Sequence, residues 1–337
     1  MATAPLPPTS TSTSSSSIHR VSPTIQIAYT LYEAEPTNRG PAARATVILI
    51  NGLADTKETW GSQVPSFTSA GYRVLTYDNR GVGASSRLPL PDSDDSRGAV
   101  FYTTREMADD LARLLTHLKI QGPAHLLGVS MGGMIAQSFA LEYIVPPAAA
   151  VPGIVFLSVT LVCTYAAPGP FCTRMFAMWR DVARAMGVQT VMRDVALWCF
   201  SPEFFADETR REQVRDMDAA MECIDDEDAG GMGLGAYCAQ LSAIQEFDSR
   251  AVVGMLAQRR PGVRVVLPNI VVLAGESDIL IPVSLSRELH GLIPGARWCT
   301  TRGGHACNWE FPDEFNRTCL DLWTDIETKT QNWEDVT

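Results

Sequence analysis

A Gly-x-Ser-x-Gly stretch, Gly128-Val-Ser-Met-Gly132, contains the residue best suited to nucleophilic chemistry, Ser130. Apolar residues lead into it, and a helical pattern leads out of it as far as Leu141. A tight strand–turn–helix connection strains the serine backbone and crowds the residues two positions to either side. Glycine at both positions removes that crowding. The sequence therefore predicts a nucleophile elbow; the alternative is a glycine-rich helix start with an incidental serine.

A serine hydroxyl is a weak nucleophile and needs a general base. His305 is the best candidate because it follows a predicted strand, lies on a glycine-rich loop and is the last histidine of the chain. The other histidines are in the N-terminal segment, on predicted helices or at the wrong end of a strand. Cys307 is a competing nucleophile, but no elbow surrounds it. The order of serine first and histidine last is the one found where the serine is on an elbow of this kind.

The histidine in turn needs an acid that orients it. Asp278 comes three residues after Gly275, where a predicted strand ends, and is followed by a proline. Glu276 is the nearest competitor but would leave the strand end at a different angle. Asp248 is a second competitor, although Arg250 beside it indicates a structural ion pair. The sequence therefore predicts a triad with Asp278 as its acid.

An oxyanion intermediate needs two preorganised N–H groups. One should belong to Met131, directly after the serine, and the other to Leu53, in the loop after a buried strand. Trp60 is predicted to pack beneath that loop. Asp78 and Arg80, at the next strand end, are interpreted as a structural pair.

Continuous apolar runs that alternate with helical patterns predict a parallel α/β sheet flanked by helices. Between residues 165 and 247 no strand pattern occurs, which indicates an inserted helical cap. The predicted organisation is a disordered low-complexity tail over 1–20, an α/β core over 21–164 and 248–329, the cap over 165–247, and a C-terminal tail over 330–337.

The cap is rich in methionine and aromatic residues. Unbranched thioether side chains adapt to varied apolar shapes, so part of this set is predicted to face the serine and bind substrate. The candidates are Met175, Trp179 and Met221. The alternative is that they only pack the cap onto the core, as apolar residues at helical spacing usually do.

The amino-acid composition limits the kinds of binding partner that the chain is expected to have. The formal net charge of −11 argues against nucleic acid and anionic membrane surfaces. No apolar run could span a bilayer and no signal peptide is evident, so a cytoplasmic location is predicted. The eight cysteines show neither Cys-x-x-Cys nor metal-ligand spacing. Free thiols, no metal and a small-molecule substrate are therefore expected, while the oligomeric state is open.

At these residues the chain resembles the α/β-hydrolase superfamily, and among its members the soluble hydrolases that include oxoadipate enol-lactonase. The similar segments are Asn51-Gly-Leu53, Tyr77-Asp-Asn-Arg-Gly-Val-Gly83, Tyr102-Thr-Thr-Arg-Glu-Met107, Leu127-Gly-Val-Ser-Met-Gly-Gly-Met-Ile-Ala-Gln137, Gly275-Glu-Ser-Asp278 and Gly303-Gly-His-Ala306. The usual His-Gly of the oxyanion loop is Asn51-Gly52 here. Asparagine can also tie a loop by hydrogen bonds, and the N–H of Leu53 is unaffected.

The resemblance implies an α/β-hydrolase fold, a triad of Ser130, His305 and Asp278, no cofactor, and hydrolysis of an ester or lactone. Because the cap determines substrate choice, the lactonase activity does not transfer with the fold. Carbon–carbon bond hydrolysis, thioester hydrolysis and perhydrolysis could use the same groups. A ligand-binding receptor with slow turnover is the alternative from outside the enzyme class.

Overall fold

The computed structural model of the 337-residue chain describes residues 13–36, 44–86, 103–145, 150–222, 224, 231–258 and 268–334. At its centre is one sheet of eight strands in the order β1-β2-β4-β3-β5-β6-β7-β8. The strands are β1 (Ser14–Arg20), β2 (Gln26–Tyr32), β3 (Thr46–Ile50), β4 (Arg73–Tyr77), β5 (Gly122–Val129), β6 (Ile154–Val162), β7 (Asn269–Gly275) and β8 (Arg297–Thr301). β1 and β2 are antiparallel to their neighbours, and all pairs from β4 to β8 are parallel.

Helices cover both faces of the sheet, as the continuous apolar runs predict. Along β3, Ile48 and Ile50 face one apolar cluster while Val47 and Leu49 face the other. Helices α2 (Thr104–Leu118) and α3 (Met131–Phe139) pack in the first cluster. Helices α1 (Gln63–Ser69) and α11 (Pro312–Glu334) pack in the second. The three-layer arrangement confirms the predicted fold class.

Between β6 and β7 the described residues form helices and no strand. These are α4 (Pro170–Met186), α5 (Val188–Cys199), α6 (Pro202–Ala206), α7 (Arg211–Glu222) and α8 (Leu234–Gln245). We call this group the cap. The remaining helices are α9 (Val283–Leu292) and the short α10 (Cys307–Glu310), which follows the loop that contains His305.

Both ends of the chain carry more structure than the sequence predicts. β1 lies inside the expected tail 1–20 and pairs with β2 along its whole length, from Ser14 with Tyr32 to Arg20 with Gln26. A polar edge strand needs only backbone hydrogen bonds on one side, so its serine-rich composition gave no signal. At the other end, α11 continues to Glu334, inside the expected tail 330–337. Residues 1–12 and 335–337 lie outside the described part of the chain.

Two further observations concern membrane-spanning helices and disulfide bonds. In the described ranges no helix is both long and apolar enough to cross a bilayer. The seven cysteines within those ranges are free thiols, and Cys223 lies outside them.

Candidate active site

The turn at Ser130 has the geometry of a nucleophile elbow. Ser130 has φ 57° and ψ −119°, a left-handed backbone conformation that costs free energy for any residue except glycine. A Cβ added to Gly128 would lie 2.1 Å from the carbonyl oxygen of Gly132. A Cβ added to Gly132 would lie 2.2 Å from the carbonyl oxygen of Ile50. Both glycines are therefore required by close backbone approach, as the sequence predicts.

Neighbouring strands fix the backbone of the elbow. Ser130 N donates a hydrogen bond to the carbonyl oxygen of Val162 at 2.9 Å, at the end of β6. Thr164 Oγ1 donates to the carbonyl oxygen of Ser130, also at 2.9 Å. Met131 is the first residue of α3, where backbone N–H groups have no helical partner and the helix dipole is positive. An anion beside Ser130 would be stabilised there.

His305 and Asp278 meet at the same edge of the sheet. Nδ1 of His305 lies 2.9 Å from Oδ2 of Asp278, and both side chains are buried. The second carboxylate oxygen of Asp278 accepts a hydrogen bond from Ile281 N at 2.9 Å. A carboxylate accepts hydrogen bonds, so this pairing places the proton on Nδ1 and leaves Nε2 free to act as a base. The structure describes no hydrogen bond from Ser130 Oγ to His305; such bonds often form only in the substrate complex.

The competing acids lie elsewhere. Glu276 accepts a hydrogen bond from Thr300 at the protein surface. Asp248 forms an exposed ion pair with Arg250, as predicted. Of the three carboxylates, only Asp278 contacts the histidine.

The loop that contains His305 is held by residues that sequence reasoning missed. The buried carboxylate of Glu310 accepts hydrogen bonds from Gly304 N, at 2.8 Å, and from the hydroxyl of Ser201 in the cap. Ala306 N donates to the carbonyl oxygen of Cys199, at the end of α5, at 2.9 Å. The two contacts with the cap, Ser201 with Glu310 and Cys199 with Ala306, join residues more than 100 positions apart. No local sequence pattern predicts these two contacts.

The loop after β3 is tied down as the Asn51-Gly52 sequence suggested. The side chain of Asn51 donates to Thr59 Oγ1 at 3.0 Å and accepts from the indole N–H of Trp60 at 2.9 Å. Trp60 is buried beneath the loop, which confirms its packing role. The cap also reaches this loop, because Ala54 N donates to Gln240 Oε1 of α8 at 2.9 Å. The loop is therefore fixed from below by the core and from above by the cap.

Asp78 and Arg80 have structural roles, but the prediction that they pair with each other is wrong. Asp78 accepts hydrogen bonds from the backbone N–H groups of Lys57, at 2.7 Å, and Ala84, at 3.0 Å. Arg80 forms a two-pronged ion pair with Asp110 on α2 at 2.6 and 2.8 Å. Asp78 therefore stabilises loop backbone, whereas Arg80 pairs with a helix. Sequence proximity alone gave the wrong pairing.

Asp55 is a second carboxyl group at the site, and sequence reasoning did not single it out. It lies in the loop after β3, where the backbone N–H of Gly52 favours its ionised form. Burial raises the pKa of Asp55 to about 6, although the nearby His305 opposes the rise. An acidic residue two positions after the proposed oxyanion donor, Leu53, was the available sequence signal.

The cap candidates for substrate binding have different surroundings. Met175 and Trp179 on α4 are buried in the large apolar cluster, and the Trp179 indole donates to Asp194 at 2.7 Å. Packing within the cap accounts for both. Met221 on α7 is half-buried. A substrate contact stays a hypothesis for all three.

One group of described residues has the composition of a metal site. Ligand atoms of Cys163, Asp278 and His305 lie within 4.8 Å of one another. However, Asp278 and His305 already bond each other. The hydrogen bond with Cys307, together with burial, raises the pKa of Cys163 well above its usual range. Metals bind the deprotonated thiolate, so this set fits a triad better than a metal centre.

Known proteins resemble this chain in sequence and in fold. The family model described as "alpha/beta hydrolase fold" matches residues 45–312. A putative carbamate hydrolase, RutD, of Pantoea ananatis is 28% identical over 286 residues, covering 82% of this chain and 87% of that protein. The solved structure of a hydrolase from Pseudomonas aeruginosa PA01 is 26% identical with a TM-score of 0.69, covering 91% of this chain and 98% of that one.

The enol-lactonase of Burkholderia xenovorans LB400 is also similar, at 25% identity and a TM-score of 0.67, covering 91% of this chain and 99% of that one. The family match extends from the strand before the oxyanion loop to the residues just after His305 and so includes the elbow, the acid and the histidine. It covers well over half of the 337 residues. The chain belongs to the α/β-hydrolase family.

Proposed function

We propose that this hydrolase cleaves a carboxylic ester or lactone of a largely apolar small molecule through an acyl-enzyme on Ser130. The observation that carries the proposal is the strained turn at Ser130 at the same sheet edge as the His305–Asp278 pair. A strained serine, a buried imidazole with a free Nε2 and a buried orienting carboxylate are the parts of acyl transfer.

In the proposed mechanism, Nε2 of His305 removes the proton from Ser130 Oγ as that oxygen attacks the carbonyl carbon. Asp278 holds the imidazole in the required tautomer and stabilises the imidazolium. The N–H groups of Met131 and Leu53 stabilise the oxyanion. His305 then protonates the leaving oxygen, and a water molecule activated by the same imidazole releases the acyl group.

The charges around the site support an uncharged or cationic substrate over an anionic one. The cation closest in sequence to His305, Arg302, forms an exposed ion pair with Glu314. Asp55 adds negative charge when it is ionised. A substrate with a carboxylate would meet that charge without a compensating cation.

A carbamate is the second candidate, favoured by the name of the Pantoea ananatis relative. Its carbonyl would be attacked by the same serine and held by the same N–H groups. A panel of matched phenyl acetate and phenyl carbamate substrates separates the two candidates if each kcat/KM is divided by the rate constant of uncatalysed hydrolysis of the same compound. This division is needed because carbamate carbonyls are intrinsically less reactive, and the preferred class should show the higher quotient.

The test of the proposal is labelling by a fluorophosphonate, which an activated serine attacks as it attacks a carbonyl carbon. We expect wild-type protein to be labelled and to hydrolyse phenyl acetate, and Ser130→Ala to do neither. Ser138→Ala, on the same helix, is the matched control and should behave as wild type. Equal labelling of Ser130→Ala would show that another residue is the nucleophile.

A further inference from the structure

Asp55 lies in the proposed oxyanion loop, three residues after Gly52. An ideal Cβ at Gly52 would be 2.9 Å from the Asp55 carboxylate and 3.5 Å from the Cβ of Ser130. The carboxylate can therefore be no farther from the Ser130 side chain than those two distances combined. It is also near enough to His305 for the two charges to interact. Asp55 thus borders the space where a substrate carbonyl must lie.

The two carboxylates beside His305 have different surroundings. Both carboxylate oxygens of Asp278 accept hydrogen bonds, one from Nδ1 of His305 and the other from the backbone N–H of Ile281. Asp55 lies beside the backbone N–H of Gly52 and remains partly accessible to solvent. No cationic side chain contributes to its electrostatic environment apart from His305 in the part of the chain that the structure describes. A partly accessible carboxylate that lacks a permanent cationic partner favours a cation from outside.

We propose that Asp55 is a specificity-determining residue and that the substrate carries a cationic group, such as a quaternary or protonated amine, close to the bond that is cleaved. This inference rests on the proposed function, since it assigns the substrate class of the same Ser130 site. An ionised Asp55 would attract such a group across a few ångströms of partly desolvated space, where charge interactions are stronger than in water. It would repel an anionic substrate equally.

The test compares esters that differ in charge but not in shape. In the first pair, acetylcholine is cationic and 3,3-dimethylbutyl acetate is neutral, and the charge lies on the alcohol part of the ester. In the second pair, the phenyl ester of trimethylglycine is cationic and that of 3,3-dimethylbutanoic acid is neutral, and the charge lies on the acyl part. For each pair, the ratio of kcat/KM for the cationic ester to kcat/KM for the neutral ester is measured at pH 8. Intrinsic reactivity cancels when this ratio is compared between variants.

In Asp55→Asn we expect the ratio to fall about tenfold for at least one pair, as loss of one nearby charge should produce. Glu58→Gln is the matched control. It removes an exposed carboxylate from the helical turn that follows the same loop, and it should leave both ratios unchanged. If Asp55→Asn does not fold, Asp55→Ser serves in its place, because the hydroxyl can still accept a hydrogen bond from the Gly52 backbone.

A second measurement uses unaltered protein. With the pKa of Asp55 raised to about 6 by burial, the group is neutral at pH 5 and ionised at pH 8. The cationic-to-neutral ratio should therefore rise as the pH passes through about 6. The other titratable groups at Asp55 are His305 and Cys199. Protonation of His305 affects both esters alike, and burial raises the pKa of Cys199 well above its usual range, so the thiol stays neutral.

The outcomes separate this inference from the proposed function. Phenyl acetate turnover that depends on Ser130, with ratios unchanged in Asp55→Asn, overturns the role of Asp55 and leaves the hydrolase proposal intact. An equal loss of turnover for both members of each pair makes Asp55 a positioning residue of the loop, which also overturns the inference. Failure of the wild type to accept either cationic ester while it hydrolyses phenyl acetate does the same. Turnover that persists in Ser130→Ala contradicts the proposed function itself.

Discussion

The serine turn and the histidine loop reach the same edge of the sheet, but different parts of the molecule hold them there. Ser130 is fixed by the backbone of β6 and by two glycines that allow neighbouring chains to approach. The imidazole of His305 is held by the side chain of Asp278, and its loop is held by the buried carboxylate of Glu310 and by the end of cap helix α5. The serine turn therefore depends on the core alone, whereas the histidine loop depends on the cap as well.

This difference predicts how each part should fail. A backbone that has no room for a Cβ cannot adjust by small steps, so a change at the elbow should remove function altogether. Side-chain hydrogen bonds between the cap and the histidine loop can weaken one at a time. Mutations there should produce graded losses.

The largest effect is expected for Gly132→Ala. The added Cβ would lie 2.2 Å from the carbonyl oxygen of Ile50, so the elbow and β3 must separate. We expect no turnover and a loss of about 3 kcal/mol or more in the free energy of unfolding, measured by urea denaturation. Gly291→Ala on α9 is the control, since a Cβ there meets nothing within 4 Å. Wild-type activity in Gly132→Ala would refute the elbow.

The next effect concerns the acid. Asp278→Asn should lower kcat by on the order of 10⁴, the loss known for the equivalent change in a serine protease triad, because the amide stabilises the wrong tautomer of His305. Glu276→Gln should change kcat by no more than about twofold, since its carboxylate contacts only the exposed Thr300. Single-turnover kinetics with phenyl acetate measure both. The opposite ranking would transfer the acid role to Glu276.

A smaller effect is expected where the cap holds the histidine loop. Glu310→Gln replaces an acceptor of several N–H and O–H groups with an amide that must also donate. We expect kcat to fall about tenfold through misplacement of His305, and the free energy of unfolding to fall by about 1–3 kcal/mol. Glu203→Gln, an exposed change on α6, is the control. Unchanged kcat would mean that Glu310 does not position the base.

The smallest effect is expected at the link between the cap and the oxyanion loop. Gln240→Leu removes the acceptor for Ala54 N and the donor to the carbonyl oxygen of Arg80. Loss of these bonds should cost about 1–3 kcal/mol of stability and lower kcat/KM a few-fold. Gln245→Leu on the same helix is the matched control because its side chain bonds only within the cap. An equal kinetic loss in both variants would indicate general loosening of α8.

Local sequence signals predicted the elbow, the buried strands and the helix starts well. At α2, for example, Thr103 and Glu106 have the Thr-x-x-Glu spacing of a capping box, and the structure shows that box at the start of the helix. The signals failed where structure depends on backbone pairing alone, as in β1, whose polar residues carry no pattern. They also failed for ionic partners, since Arg80 bonds Asp110 on another element. The substrate roles of Met175, Trp179 and Met221 remain predictions.

By itself the sequence determined that Ser130 lies on a strained turn, because glycines at 128 and 132 report a local steric requirement that any fold must respect. It also indicated which histidine and which acid could act with Ser130, because both residues lie in loops that follow predicted strands. Only the tertiary structure decided that Asp55 lies near Ser130 and His305. It also decided that Ser201 and Cys199 of the cap contact Glu310 and Ala306 beside His305. Those contacts form between distant segments that packing of the sheet and cap brings together, so no spacing along the chain could reveal them.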